Sequence, residues 1–281
     1  MSTVSVITPN YNYALYIEQA IKSVLSQTVP ANEYFVVDDC STDASVEVIR
    51  SLERNFEFIL NDVNLGIVEN FRQCVSRSNS DYVCFIGADN CIDPTYVEKL
   101  KNALDENPNA AIAYSNMIIF GPLAKQLADR VGAGEANHLL GEPRYHWIVS
   151  APTEAALANI QKENFINGSA MFRRSAYEAV GGYRKSDQPE DADLFRRIIR
   201  KGYEAVYVPE PLLYYRQHSP EQANTLLLHN ARIQELQNSL NASQNWIEKL
   251  QCDIDEIQPY ARKLERDNAE LREHIETLTR N

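Results

Sequence analysis

No stretch of this sequence approaches 18 consecutive apolar residues, so no transmembrane helix is expected. Nor does it open on a basic segment with an apolar core. Met1-Ser2-Thr3 leads into a short β-branched run, and no secretory leader is expected. Cysteine is sparse: Cys40, Cys74, Cys84, Cys91 and Cys252 are odd in number and hold no C-x-x-C pair, which fits neither a zinc site nor a disulfide framework. Reduced thiols in a cytoplasmic protein are the expectation, with a peripheral position at the inner membrane face left open. Positive charge is in deficit. With 27 Lys and Arg against 39 Asp and Glu, the net charge is -12, so nothing suggests nucleic acid as a partner and a polybasic grip on anionic lipid is disfavoured. No G-x-G-x-x-G follows the first apolar run, which makes a Rossmann dehydrogenase a weak reading.

What is present reads as a folded α/β chain. Hydrophobic residues make up 44%, ordinary for a globular protein, and 281 residues suffice for one large domain with an appendage. Residues 3–8 are β-branched and read as a strand that stops at Pro9. Ile17, Ala20, Ile21, Val24 and Leu25 share a helical face. Strands are expected at 33–37, 56–60, 82–86 and 111–114, with helices from Ser41-Thr42-Asp43, over 66–77 and over 95–104. Such alternation implies a mainly parallel sheet covered on both faces, with ligands at the carboxyl ends of the strands. Asp38, Asp39, Asp89 and Asn90 all follow strand ends. Residues 121–165 show weak periodicity and read as a loop-rich segment for acceptor contacts. Beyond it come a strand at 170–173, a helix at 191–200 and two short strands at 205–207 and 212–215.

The tail changes character. With Ile233 at heptad position a, the a series is Ile233, Leu240, Ile247, Ile254, Ala261, Asn268 and Ile275; the d series is Leu236, Ser243, Leu250, Ile257, Leu264, Leu271 and Leu278. A straight helix drifts off a strict seven-residue repeat, so the pattern points to a supercoil. Ile-rich a and Leu-rich d favour a parallel pair, and a lone Asn at a fixes register. Homodimerisation, or docking through the coil, is the expected partnership. Pro259, at position f, is expected to kink or split the helix. The domains expected are 1–225 and 226–281, and the pattern's running to Asn281 suggests a piece of a longer protein.

Two groups of carboxylates stand out. Asp89, on a loop after an apolar strand, suits a divalent cation of the kind that bridges diphosphate oxygens, or serves as a turn carboxylate before the next helix. Asp39 is equally open to a turn role. Glu190-Asp191-Ala192-Asp193 is favoured at a helix start by the dipole, but adjacent carboxylates also suit a general base. Trp147, with Tyr145 and His146, could stack on an acceptor sugar or simply pack a core.

The ordered set of motifs resembles the inverting family-two glycosyltransferases with the GT-A fold. Thr8-Pro9-Asn10-Tyr11-Asn12 and Val36-Val37-Asp38-Asp39-Cys40-Ser41-Thr42-Asp43 are similar to the family's opening, with Cys40 in place of the glycine of V-D-D-G-S-T-D. Asn64-Leu65-Gly66 matches N-x-G, Gly87-Ala88-Asp89-Asn90 matches D-x-D-D, and Gly181-Gly182-Tyr183 with Glu190-Asp191-Ala192-Asp193-Leu194 matches G-G-[FY] and E-D-x-D-L. Tyr215-Arg216-Gln217-His218 is similar to a closing Y-R-x-H. The likeness spans roughly residues 3–218.

The resemblance implies a mixed, mostly parallel sheet and a nucleotide-sugar donor, UDP by family habit, with GDP and dTDP as competitors. It places Thr8, Pro9, Tyr11, Asp39, Asn64, Arg72 and Asp89 at the donor nucleotide, Mn2+ or Mg2+ at Asp89 and His218, and the general base at Asp191. The expected function is hexosyl transfer to a carbohydrate or lipid-linked saccharide in surface polysaccharide synthesis. The departure is Gly87, where the family has the first aspartate of D-x-D. It feeds the alternative that the domain is a degenerate transferase serving as a coiled-coil scaffold.

Overall fold

The computed structural model describes residues 1–52, 55–136, 143–160, 164–219 and 224–279. It divides into two compact units, Met1–Gln222 and Ala223–Asn281. In the first, β1 (Val4–Asn10), α1 (Ile17–Leu25), β2 (Glu33–Asp38), α2 (Ser45–Ser51), β3 (Glu57–Leu60), α3 (Ile67–Arg77) and β4 (Tyr82–Phe85) alternate as the apolar runs require. They are followed by β5 (Cys91–Ile92), α4 (Tyr96–Glu106) and β6 (Ala110–Phe120). Then come α5 (Ala124–Val131), β7 (Gly134–Ala136), β8 (Arg144–Trp147), α6 (Glu154–Asn159), β9 (Met171–Arg173), α7 (Arg174–Ala179), α8 (Glu190–Arg200) and β10 (Glu204–Arg216).

One ten-stranded sheet runs β3-β2-β1-β4-β9-β6-β10-β5, with β8 added to β6 and β7 to β8. The pairs β1–β2, β1–β4, β2–β3 and β6–β10 are parallel; β9, β8 and β5 join antiparallel. The result is the mixed, mostly parallel GT-A sheet. Because β1, β2 and β4 are parallel neighbours, their carboxyl ends, and the loops they launch, lie side by side.

Several elements differ from the sequence reading. The first strand does not stop at Pro9 but continues to Asn10. Ile7 faces β4, since its carbonyl accepts from the Ile86 N–H, so Pro9 two residues on faces the same way. The ladder with β4 ends at Ile7, and no partner there needs the N–H that proline lacks. The segment from 121 is not loop-rich. β6 runs for 11 residues, all buried, and α5, β7, β8 and α6 follow, with residues 137–142 and 161–163 outside the described set. Polar Ser115 and Asn116 hide this long strand from an apolar reading, yet both are buried. The two short strands near the end are one bulged strand, β10, with register shifts about Val208 and Pro211. Of the residues sharing the apolar face of α1, Ile17, Ala20, Ile21 and Val24 are buried, while Leu25, at the last helical position, is 38% exposed.

The second unit is a single helix, α9 (Asn224–Thr279), which runs through Pro259 instead of splitting. A proline at f removes one backbone bond on the side away from the a/d seam, and the residues around it are exposed. The side chains of Ile233, Leu236 and Leu278 lie outside the described set. Among the described residues no helix is long and apolar enough to cross a membrane.

Candidate active site

Three clusters assemble at the carboxyl ends of the strands. The first knits the loops after β1 and β2. Asp38 is fully buried and accepts from Asn10 Nδ2 at 2.6 Å, Ser41 N at 2.8 Å and Ser41 Oγ at 2.7 Å. Asn12 Oδ1 accepts from the Thr42 N–H at 2.8 Å. Asp39, 4% exposed, accepts from Asn61 Nδ2 (2.8 Å), Leu65 N (2.9 Å) and Gly66 N (3.0 Å), so it folds the Asn64-Leu65-Gly66 loop around itself. A carboxylate offers about four acceptor positions, which leaves one for a ligand. Cys40 sits at φ +62, the left-handed region where the family's glycine is unstrained. Thr8 is buried, its hydroxyl 3.0 Å from the Tyr34 hydroxyl. Tyr11 is half-buried, Asn64 exposed with its Oδ1 taking the Gly66 N–H at 3.0 Å, and Arg72 exposed on α3, near enough to Tyr177 to influence it electrostatically.

The second cluster centres on Asp89. Its Oδ2 lies 2.8 Å from His218 Nε2, and the His218 ring is 5.7 Å from Tyr13 and 4.8 Å from Tyr16. Arg216 braces this corner. It donates Nε to the Asp89 carbonyl at 2.9 Å and its backbone N to Asn90 Oδ1 at 3.0 Å, hydrogen-bonds Gln19, and lies between the rings of Tyr16 and Phe120. A carboxylate and an imidazole in contact are donors that suit a borderline cation such as Mn2+, whose other ligands would be phosphate oxygens and water. Among the described residues no third His, Cys, Asp or Glu joins them. At Gly87 a Cβ would stand 2.8 Å from Asp89 Oδ1 and 3.0 Å from Asn90 Nδ2; those two side chains occupy the space a larger residue 87 would claim.

The third cluster is a cavity of about 840 Å³. Its lining includes Pro9, Gly87 and Asn90, Glu190 and Asp191, the Asn167-Gly168-Ser169 turn, Trp147, Ile148 and Val149, and Phe71 and Phe85, stacked at 4.3 Å. Burial pushes the Asp191 carboxyl above its ordinary value, against the pull of the backbone N–H bonds it accepts. Glu190 is also raised, by burial first and then by the charge of Asp191. Ala192 N holds Asp191 Oδ1 at 2.6 Å, and Oδ2 lies against bare Gly168, where a Cβ would be 2.7 Å away. The buried Tyr96 hydroxyl ties down that turn through the Ser169 carbonyl. Asp193 plays a different part: it is held by Arg184 at 2.9 Å and Arg197 at 2.8 Å, and these bonds outweigh desolvation to lower its carboxyl.

The cavity therefore brings together Pro9, Asp191 and the Gly87–Asn90 loop, and Asp89 meets His218 beside it. Thr8 points its hydroxyl into the core instead, and Arg72 lines no part of the cavity. Trp147 both lines the cavity and packs against the apolar core, whereas Tyr145 is core, and His146 alternates to the other face of β8. Nothing along the chain marks a lone Gly168 or a helical Tyr96 as a neighbour of the Asp191 end of the cavity; only long-range contact reveals them.

Residues 5–181 match the family described as glycosyl transferase family 2. EpsE of Bacillus subtilis, named as a glycosyltransferase, is 26% identical over 77% of this chain and 73% of its own length. Staphylococcus aureus TarS, solved as residues 1–349 with UDP-GlcNAc, superposes with a TM-score of 0.58 at 17% identity over 78% of this chain and 60% of that one. The mannosyltransferase PcManGT of Pyrobaculum calidifontis, solved with GDP-Man and Mn2+, gives a TM-score of 0.55 at 18% identity, over 76% of this chain and 56% of that one. At these identities the superpositions speak to fold, and this chain spans about 60% of the solved chains.

Proposed function

The chain belongs to glycosyl transferase family 2, and on that premise we propose that it is an inverting, metal-dependent hexosyltransferase. It moves a sugar from a nucleoside diphosphate to a hydroxyl of a carbohydrate or lipid-linked saccharide in surface polysaccharide synthesis. UDP stands first among donors by family habit; GDP and dTDP compete. The observation that carries the reading is that Asp191 and the loop bearing Asp89 border one cavity. A proton acceptor and a place for a diphosphate thus flank the same space.

In this mechanism Asp191 takes the proton of the acceptor hydroxyl. The acceptor oxygen bonds to the anomeric carbon from the face opposite the diphosphate, and the bond from that carbon to the phosphate oxygen breaks. The configuration inverts. The Ala192 N–H fixes Asp191 Oδ1, leaving Oδ2 beside Gly168 to receive the proton. Burial makes the carboxylate a stronger base than an exposed one. Asp39, with Thr8, Pro9, Tyr11, Asn64 and Arg72, belongs to the nucleotide end: Asp39 keeps one acceptor position for a base N–H, while Thr8 contributes through the strand it anchors. Asp89 and His218 would hold Mn2+ or Mg2+, which when bound offsets charge on the departing diphosphate. The exposed apolar stripe of α9 is a self-association or docking element.

Calorimetric titration with UDP, GDP and dTDP, each with and without Mn2+, tests this reading. Mn2+-dependent binding of one nucleotide is expected. No binding of any of the three would overturn it and favour a scaffold built on a degenerate transferase domain.

A further inference from the structure

Independently of the transferase reading, we infer that α9 pairs with α9 of a second copy of this chain as a parallel, in-register, two-stranded coiled coil. Among the described residues, the large a and d side chains of the apolar stripe from Leu240 to Leu271 are 38–63% exposed, whereas the corresponding face of α1 is almost wholly buried. Trp246 and Tyr260, both at g, extend the stripe to one flank at 64% and 72% exposure. A strict seven-residue repeat is covered by a partner helix of the same repeat, and the chain supplies that partner by being copied.

Orientation follows from the polar positions. In a parallel, in-register pair each seam residue meets its own twin. Asn268 then meets Asn268, an amide with a donor and an acceptor for its mate, and Ser243 meets Ser243, a hydroxyl with the same capacity. At the flanks each g residue meets e of the next heptad, which sets Asp267 against Arg272 twice by symmetry and brings no like charges together. An antiparallel pair of full overlap would set Asn268 against Ser243. Its flanks would put Asp267 beside Trp246 and Arg272 beside Gln237, losing both ion pairs.

Sedimentation equilibrium of the full chain at micromolar concentration should return twice the 32.0 kDa chain mass. Leu264→Asp, at d, should return the single-chain mass with the thermal transition of the first unit, followed by circular dichroism, unchanged, which shows that this unit is still folded. For orientation, Ser243→Cys in a Cys252→Ser background should form a disulfide-linked dimer on mild oxidation, while the background alone does not. A 1:1 mixture of Ser243→Cys and Asn268→Cys chains tests the antiparallel alternative. A single-chain or higher-order mass for the native protein overturns the inference. So does crosslinking that needs the mixture and fails with Ser243→Cys alone.

Discussion

As the proposed base Asp191 has to be ionised, yet its burial at the cavity disfavours the charge. Its folded pKa lies above the unfolded value of 3.8, so the fold binds more protons than the unfolded chain between the two. Stability therefore falls as pH rises through that window, and above the folded pKa the full cost remains. Asp191→Asn should raise the melting temperature at neutral pH, by a margin that shrinks as the pH drops towards 4, while transfer falls about 10²–10⁴-fold. Unchanged transfer would move the base elsewhere. In the native enzyme kcat/KM should climb with pH through a carboxylate pKa above the ordinary one. Gly168→Ala offers a second test. The new Cβ, 2.7 Å from Oδ2, must push the carboxylate aside. A displacement of about 1 Å can cost on the order of 10²-fold, so kcat should drop steeply with nucleotide affinity intact. An equal loss in nucleotide binding would show a general collapse of the site instead.

At the scale of the element, α8 carries the proposed base, and its first turn is pinned from the far side. Asp193 gathers Arg184 and Arg197, and Arg197 goes on to donate to the carbonyls of Val180 at 2.7 Å and Gly182 at 2.6 Å. This brace fixes the helix start against the Gly181-Gly182-Tyr183 turn. Arg197 is 11% exposed and Arg184 is 58% exposed, so the inner pair matters more and the outer one is screened by water. Asp193→Asn should cost about 1–3 kcal/mol at pH 7, read by urea denaturation. Because the Asp193 carboxyl is depressed, its contribution is present above 3.8 and is lost as pH falls through the lower folded value. The gap between variant and native protein should close in acid. A gap that persists at pH 2 would assign the loss to something other than the charge.

At the scale of the whole molecule, the two compact units have different sources of stability. The first unit buries a continuous core on its sheet, while the described large a and d residues of α9 from Leu240 to Leu271 are exposed, so on the proposed pairing its stability comes from association. Thermal unfolding followed by circular dichroism should show a helical transition whose midpoint rises with protein concentration, beside a catalytic transition that does not move. A chain ending at Gln222 should keep only the second. Loss of the catalytic transition on that truncation would mean that the units depend on each other.

Much of this protein was legible along the chain because the information is periodic and local. Strand and helix alternation through 3–114 needs only the spacing of apolar residues, and the heptads of the tail need only their repeat. Asp39 and Asp89, after strand ends, and Asp191, at a helix start, stand out along the chain, while the roles proposed for them come from the likeness of the ordered motifs to the family. What the sequence alone could not decide depends on distant neighbours. The persistence of β1 through Pro9 turns on where β4 stops, and the unity of β10 on its long pairing with β6. The division of labour between Asp191 and Asp193, two residues apart, turns on which wall each meets: a cavity and a bare glycine for one, two guanidinium groups for the other. Charge, burial and hydrogen bonding are properties of the enclosed space, and only the folded chain encloses it.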